Sequence, residues 1–185
     1  MKQRTAATAA ALIALVAIGL ALLASRRSQP VGNIGVPQPA KPVKLSQYLG
    51  VWYEIGRYEN GFERGLEGVT AEYRVRADGL IRIVNTGRRG SPTGHARVIQ
   101  GWAKVVGGSD NAKLKLSFFG PLFLADYWIL DHAEDYAWSI VGEPSGRYLW
   151  LLSRRPYLSP ETREAIYSRA RQLGYDTDLV RQTVQ

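Results

Sequence analysis

Few residues in this chain have the chemistry for catalysis or ligation. Glu54 stands out first, two residues after Trp52 in the run Gly50-Val51-Trp52-Tyr53-Glu54-Ile55. Strand alternation puts both side chains on one face. A carboxylate carried inward beside a tryptophan must find a partner or keep its proton. Glu54 therefore either pairs with a basic group of the protein or meets the head group of a ligand, for which a cation would suit. Ser117, Tyr136 and Glu54 are the raw material for a nucleophile and a base, but they stand in no arrangement that nucleophilic catalysis uses. His95 and His132 are the only histidines. Both fall in turn-rich text and read as surface residues, with Asp131, Glu134 and Asp135 as turn formers around His132. Cysteine is absent, so no disulfide, thiol nucleophile or Cys-containing zinc site can form, and no metal or cofactor is expected. Gly87-Arg88-Arg89-Gly90-Ser91-Pro92 is glycine-rich and basic. No helix follows it, so it is not a phosphate cradle.

The elements that must position these residues are strands. From Leu45 to Arg154, short β-rich runs are broken at even spacing by Asp78-Gly79, Gly107-Gly108-Ser109-Asp110, Gly120-Pro121 and Glu143-Pro144-Ser145-Gly146. Eight strands are predicted: 51–58, 69–76, 80–86, 98–106, 113–118, 125–131, 136–142 and 148–154. With no helices between them they imply an antiparallel sandwich or barrel. Alternation places Val69, Ala71, Tyr73 and Val75 on one face, and Leu114, Leu116 and Phe118 on another. The run Asp126-Tyr127-Trp128-Ile129-Leu130 is apolar on both faces, so a helix or a second subunit must cover one of them. The period changes after Pro156. Ser159-Pro160-Glu161 reads as an N-cap, a first-turn proline and an acid. Ala165, Ile166, Ala170 and Leu173 follow at helical spacing, and Gly174 ends the helix. A short edge strand is predicted over 179–184.

The net charge of +8 comes from 24 basic and 16 acidic residues, and four of the basic ones flank an apolar run. Lys2 and Arg4 precede Ala6–Ala24, and Arg26 and Arg27 follow it. Residues 1–28 thus read as a signal peptide or an uncleaved N-terminal membrane anchor, a hydrophobic helix that sends the rest of the chain outward. The run's length is close to the roughly 20 residues a span needs, and a small–x–small cleavage site is hard to place, which favours the anchor. Residues 29–44, with four prolines and two glycines, read as an extended linker, and 45–185 as one domain. Later basic residues are scattered, unlike the patch of a nucleic-acid binder, though an attraction to anionic membrane surfaces remains open.

Gly50-Val51-Trp52 resembles the G-x-W opening of the lipocalin family. Asp131–Tyr136 resembles the loop between that family's sixth and seventh strands, and Ser153-Arg154-Arg155-Pro156 its arginine after the last strand. Phe62-Glu63-Arg64-Gly65-Leu66 and Ser117-Phe118-Phe119-Gly120-Pro121 narrow the likeness to the bacterial outer-membrane, Blc-like subgroup. The resemblance implies an all-β fold, an eight-stranded antiparallel up-and-down barrel with one open mouth and a C-terminal helix on its wall. Such a barrel is wide enough for one small ligand. One departure is plain: Leu22-Leu23-Ala24-Ser25 resembles a lipobox with serine in place of the lipid-bearing cysteine.

The resemblance implies a protein that stores or transports a fatty acid or lysophospholipid in cell-envelope maintenance, with no catalysis and no cofactor. It implies a Trp52–Arg154 pair closing the barrel base. Tyr73, Phe118, Tyr136, Trp138, Tyr148 and Trp150 become the expected aromatic cavity lining, with Glu54 among them, and the 87–92 loop an expected part of the mouth. The competing readings are an isomerase or hydrolase on the same barrel, or a structural envelope protein without ligand. The expected partners are the lipid, a membrane held through the N-terminal segment, and a second copy in a homodimer, but no nucleic acid. The expected location is the periplasm-facing envelope, or the outer membrane if the resemblance extends to sorting.

Overall fold

The computed structural model describes residues 29–118 and 120–185; the N-terminal segment 1–28, read above as signal or anchor, lies outside them. A four-residue helix α1 (Leu45–Tyr48) leads into eight strands: β1 (Gly50–Tyr58), β2 (Leu66–Val75), β3 (Ile81–Arg89), β4 (Ala96–Val105), β5 (Lys113–Ser117), β6 (Ala125–His132), β7 (Trp138–Gly142) and β8 (Leu149–Ser153). Each pairs antiparallel with the next, and β8 returns to β1. The result is a closed up-and-down barrel, as the resemblance implied and as one of the two architectures the turn spacing left open. Helix α2 (Pro160–Gln172) and a short strand β9 (Val180–Gln182) complete the chain.

Two apolar cores divide the strand faces. Tyr48, Trp52, Tyr73, Ile81, Ile83, Leu114, Ile129, Val141 and Leu152 fill the barrel interior. Ile55, Leu130, Ile140, Leu149 and Leu151 point outward and meet Ile166 and Ala170 of α2. The doubly apolar sixth strand is thereby explained, since the helix covers its outer face. Ser159 caps α2 by accepting from the Thr162 amide at 3.2 Å, with Pro160 in the first turn, Glu161 at the positive end and Arg169 and Arg171 at the negative end.

Closure between β1 and β2 is incomplete. They pair only over Gly50–Tyr53. Above that point a register shift between Glu54 and Gly56 turns β1 away, and β9 pairs with Gly56–Tyr58 in the gap. Gly56 permits this approach, because a Cβ there would lie 2.8 Å from a Val180 methyl. The tail then reaches β2, where the Gly68 amide donates to the Val184 carbonyl at 2.7 Å.

Residues 29–44 do not stand off from the domain as a spacer. The Gly32 and Asn33 amides donate to the Gly146 carbonyl in the β7–β8 turn, Ala40 donates to Leu130, and Val43 donates to Asp110 in the β4–β5 turn. The proline-rich segment is a strap running down the outside of the barrel. Prolines hold it extended, and the amides of Gly32, Asn33, Ala40 and Val43 are spent on carbonyls of the barrel.

Candidate functional site

The base of the barrel is closed by Trp52 and Arg154. The guanidinium carbon lies 3.7 Å from the indole centroid, a cation–π contact. Arg154 also donates to the carbonyls of Gln47, Tyr48, Leu49 and Val51, and so ties α1 beneath the barrel. Trp52 is fully buried, and its Nε1 donates to the Tyr48 carbonyl at 2.8 Å. Gly50, at φ +94°, holds a left-handed conformation that glycine adopts without penalty, and a Cβ there would sit 3.5 Å from the guanidinium.

Above this plug three tyrosine hydroxyls converge. Tyr73 and Tyr127 are 2.6 Å apart at their oxygens, and Tyr48 lies 3.3 Å from Tyr127. Burial pushes the Tyr48 hydroxyl up to about 12 and those of Tyr73 and Tyr127 well above their ordinary value, so the cluster stays neutral. Tyr127 stacks on Trp150, Trp150 on Tyr148, and Tyr148 on Phe62. An aromatic column thus climbs from base to mouth. Phe118 packs against the same core beside Gly101. On β3, Asn85 follows Ile81 and Ile83 on the inward face. Its buried side-chain oxygen has no hydrogen-bond partner.

The mouth carries charge. Glu54 is 2 % exposed and Arg57 is 0 %; their ion pair is 2.6 Å long. Arg57 also donates to Thr183 Oγ1 and to the carbonyls of Glu63 and Leu66. Thr183, from the C-terminal tail, donates to the same Glu54 oxygen. Burial raises the Glu54 carboxyl above its usual range, against the pull of Arg57 and Thr183. Glu63, in the β1–β2 loop, accepts from Trp150 Nε1 at 2.9 Å and from Asn60 at 2.5 Å. Burial first, then the neighbouring Glu54 charge, pushes its carboxyl up to about 7. With Glu59 and Glu67 also present, four carboxyl groups face the two guanidinium groups of Arg57 and Arg181. Carboxyl groups outnumber guanidinium groups in this cluster.

The structure brings Glu54, Tyr73, Phe118, Tyr148 and Trp150 to the barrel interior or its mouth, with Trp52 and Arg154 at the base. It does not bring Trp138 there. On β7, Ser139 and Val141 face inward, so Trp138 and Ile140 face α2. Trp138 instead lines a shallow outer groove of about 470 Å3 with Lys41, Asp131 and Arg169. Tyr136 is buried at the base, not in the lining: it has φ +59°, stacks on His132, and accepts from the Lys44 amide. His132 is no surface residue. It ends β6 at 4 % exposure, its ring nitrogens against the carbonyls of Ala133 and Pro42. Ser117 donates to the Gly120 carbonyl, so Ser117, Tyr136 and Glu54 are engaged with three separate partners.

Comparison with known proteins agrees with this architecture. The model of the lipocalin-like domain matches residues 43–185. The chain is 41% identical over 151 residues to "Outer membrane lipoprotein Blc" of Vibrio cholerae, covering 80% of this chain and 87% of that one. It is 34% identical over 164 residues to "Apolipoprotein D" of Rattus norvegicus, covering 84% of each. Among solved structures, insecticyanin from the tobacco hornworm Manduca sexta superposes with a TM-score of 0.63 at 17% identity, over 82% of this chain and 84% of that one, a likeness of fold alone. With closed barrel, plugged base, aromatic interior and family match in agreement, the chain belongs to the lipocalin-like family.

Proposed function

We propose that this protein carries a single-chain amphipathic lipid, a fatty acid or lysophospholipid, in the upper barrel and serves envelope maintenance without catalysing a reaction. Members of the family bind small hydrophobic ligands. The observation that carries the finer reading is the column Tyr127–Trp150–Tyr148–Phe62 ending at the carboxyl-rich cluster of Glu54 and Glu63. An acyl chain would pack on the rings. A head group bearing an ammonium would meet the excess carboxylate, and a hydroxyl or ammonium N–H could donate to Asn85. Tyr73 and Phe118 would bound the lower chain. This arrangement suits a zwitterionic lysophospholipid better than a fatty acid, whose carboxylate would compete with Glu54 for Arg57. The curated bacterial relatives are named as outer membrane lipoproteins. We place this chain in the envelope too, held through residues 1–28 because Ser25 cannot carry the lipid.

Native mass spectrometry of the purified protein, followed by lipid extraction, tests the reading. The expected result is an adduct of one lysophospholipid or fatty acid per chain that displaces a fluorescent acyl probe. A folded protein with no adduct and no probe binding would refute the carrier function.

A further inference from the structure

Strand directions sort the loops into two ends. The base holds the β2–β3, β4–β5 and β6–β7 turns; the mouth holds the β1–β2, β3–β4, β5–β6 and β7–β8 loops. Four large exposed apolar side chains stand at the mouth, Phe62 at 44 % exposure, Val98 at 54 %, Leu122 at 64 % and Leu124 at 74 %, against Val51 at 42 % and Val75 at 52 % at the base end. Cations accompany them. Arg64, Arg89 and Arg97 are exposed there, and no acidic residue occurs between Asp78 and Asp110 or between Asp110 and Asp126. Most carboxyl groups at this end are engaged: Glu63 accepts from Asn60 and Trp150, Glu143 from Ser145 and the Arg147 amide, Glu59 and Glu67 pair with Arg57 and Arg181, and Asp126 pairs with Lys115. The exposed Asp176 and Asp178 stand beside Tyr58 on the tail side. The rim formed by the β3–β4 and β5–β6 loops therefore shows solvent an apolar surface edged with positive charge.

The chain's own path points the same way. Gln29 is pinned at the mouth, its side chain donating to the Glu59 carbonyl and its carbonyl accepting from Arg147. Only Ser25–Ser28 separate it from the apolar run ending at Ala24, a reach of at most about 18 Å. β1, nine residues long, spans about 30 Å along its length, or some 20–25 Å of barrel height once tilt is allowed. A membrane segment on so short a lead meets the mouth end, not the base.

From this we infer that the mouth docks on a bilayer carrying anionic head groups, with Leu122 and Leu124 entering the interfacial zone and Arg64, Arg89 and Arg97 on the phosphates. The inference rests on the lipid-carrier reading for its purpose, since a seated mouth lets the ligand pass between bilayer and barrel without crossing water. Its geometry stands on exposure, charge and the position of Gln29. Each arginine near an anionic surface contributes about 1 kcal/mol, or about fivefold in the seated population.

The chain has no cysteine, so single cysteines can be labelled uniquely. Full-length Leu122→Cys, Val98→Cys and Ala77→Cys, the last at the base, are labelled with an environment-sensitive fluorophore. Each is reconstituted into vesicles of phosphatidylethanolamine and phosphatidylglycerol containing a lipid with a nitroxide on its acyl chain. Labels at 122 and 98 should shift to the blue and be quenched, and the label at 77 should do neither. Replacing Arg64, Arg89 and Arg97 with glutamine should cut quenching at 122, as should vesicles of phosphatidylcholine alone. Equal quenching at 122 and 77, or none at 122, overturns the docking. So does a label at 122 shielded by a second copy in detergent yet beyond the nitroxide's reach in vesicles. An acyl probe titrated into the same preparation separates the two readings: probe bound with 122 unquenched sinks the docking alone, and 122 quenched with no probe bound sinks the carrier alone.

Discussion

The two ends of this barrel solve the same burial problem with opposite chemistry. The plug at the base is built from an indole, three tyrosines and a guanidinium. Arg154 lies on the indole and spends its donors on backbone carbonyls, and the tyrosine hydroxyls are held protonated by burial. The mouth instead buries an ion pair and surrounds it with further carboxyl groups, one of which titrates near neutrality. A permanent plug needs no response to its surroundings. A ligand gate gains from a site whose charge is not fully balanced, although burying charge costs stability unless every partner is in place.

The most damaging single change should therefore fall at the mouth. Arg57→Ala leaves Glu54 buried without its counter-charge and removes donors from Glu63 and Leu66. Breaking a buried pair in this way costs about 3–5 kcal/mol, which denaturant unfolding would read directly. A loss under about 1 kcal/mol would mean that the pair is solvated, and the contrast between the ends would fail.

Next comes ligand affinity. Trp150→Ala removes the middle ring of the column and its bond to Glu63. Losing that wall should weaken acyl-probe binding by about 1.5–3 kcal/mol, some ten- to hundredfold, with the fold retained because the ring is only partly buried. A sharp fall in thermal midpoint with unchanged affinity would place Trp150 in a filled core instead.

At the base the informative quantity is a coupling. Trp52→Ala and Arg154→Ala should each destabilise, but the double variant should lose less than the sum by about 0.5–2 kcal/mol, the worth of a cation–π contact. Strict additivity in the four-way unfolding cycle would show that the guanidinium acts only through its carbonyl bonds.

The barrel itself was legible because its signals are local. Asp78-Gly79 and Glu143-Pro144-Ser145-Gly146 break strands whatever lies around them, and each of the eight predicted runs overlaps an observed strand, with ends shifted by up to three residues. The site was harder to read because it depends on parity and on distant partners. Glu54 follows from Trp52 by alternation. Arg57 does not: alternation from Glu54 would turn it outward, and the irregularity between Glu54 and Gly56 brings it back to Glu54, opposite Trp150. Trp138 was misplaced because composition cannot say which face of a short strand is which, and only the position of α2 decides it. His132 and Asp131 read as loop residues because their cover, the strap at Lys41 and Pro42, lies some ninety positions earlier in the chain. Glu63 carries no signal of its own within its motif. Nothing in Phe62-Glu63-Arg64 shows that its carboxyl turns in towards a tryptophan 87 positions away.

The smallest expected effect sharpens the contrast most, because it asks whether Glu63 at the mouth titrates while the tyrosine plug does not. In the folded protein Glu63 holds its proton to about pH 7, above the 4.5 of an ordinary glutamate. Between those values the folded state binds more protons than the unfolded one, so stability falls as pH rises through that window and levels off above it. Glu63→Gln keeps acceptors for Asn60 and Trp150 while removing the proton. Its thermal midpoint should match the wild type near pH 4, exceed it by a few degrees at pH 8, and show a flatter profile between. Above pH 7 the wild-type carboxylate should also favour a lipid with an ammonium head group, so the ratio of lysophosphatidylethanolamine to fatty-acid affinity should rise with pH and lose that slope in the variant. A base-end control, Tyr73→Phe, should leave the pH profile between 4 and 8 unchanged in shape, since its hydroxyl does not ionise there. If Tyr73→Phe flattens the profile as much as Glu63→Gln does, titration is not confined to the mouth, and the division of chemistry between the two ends is wrong.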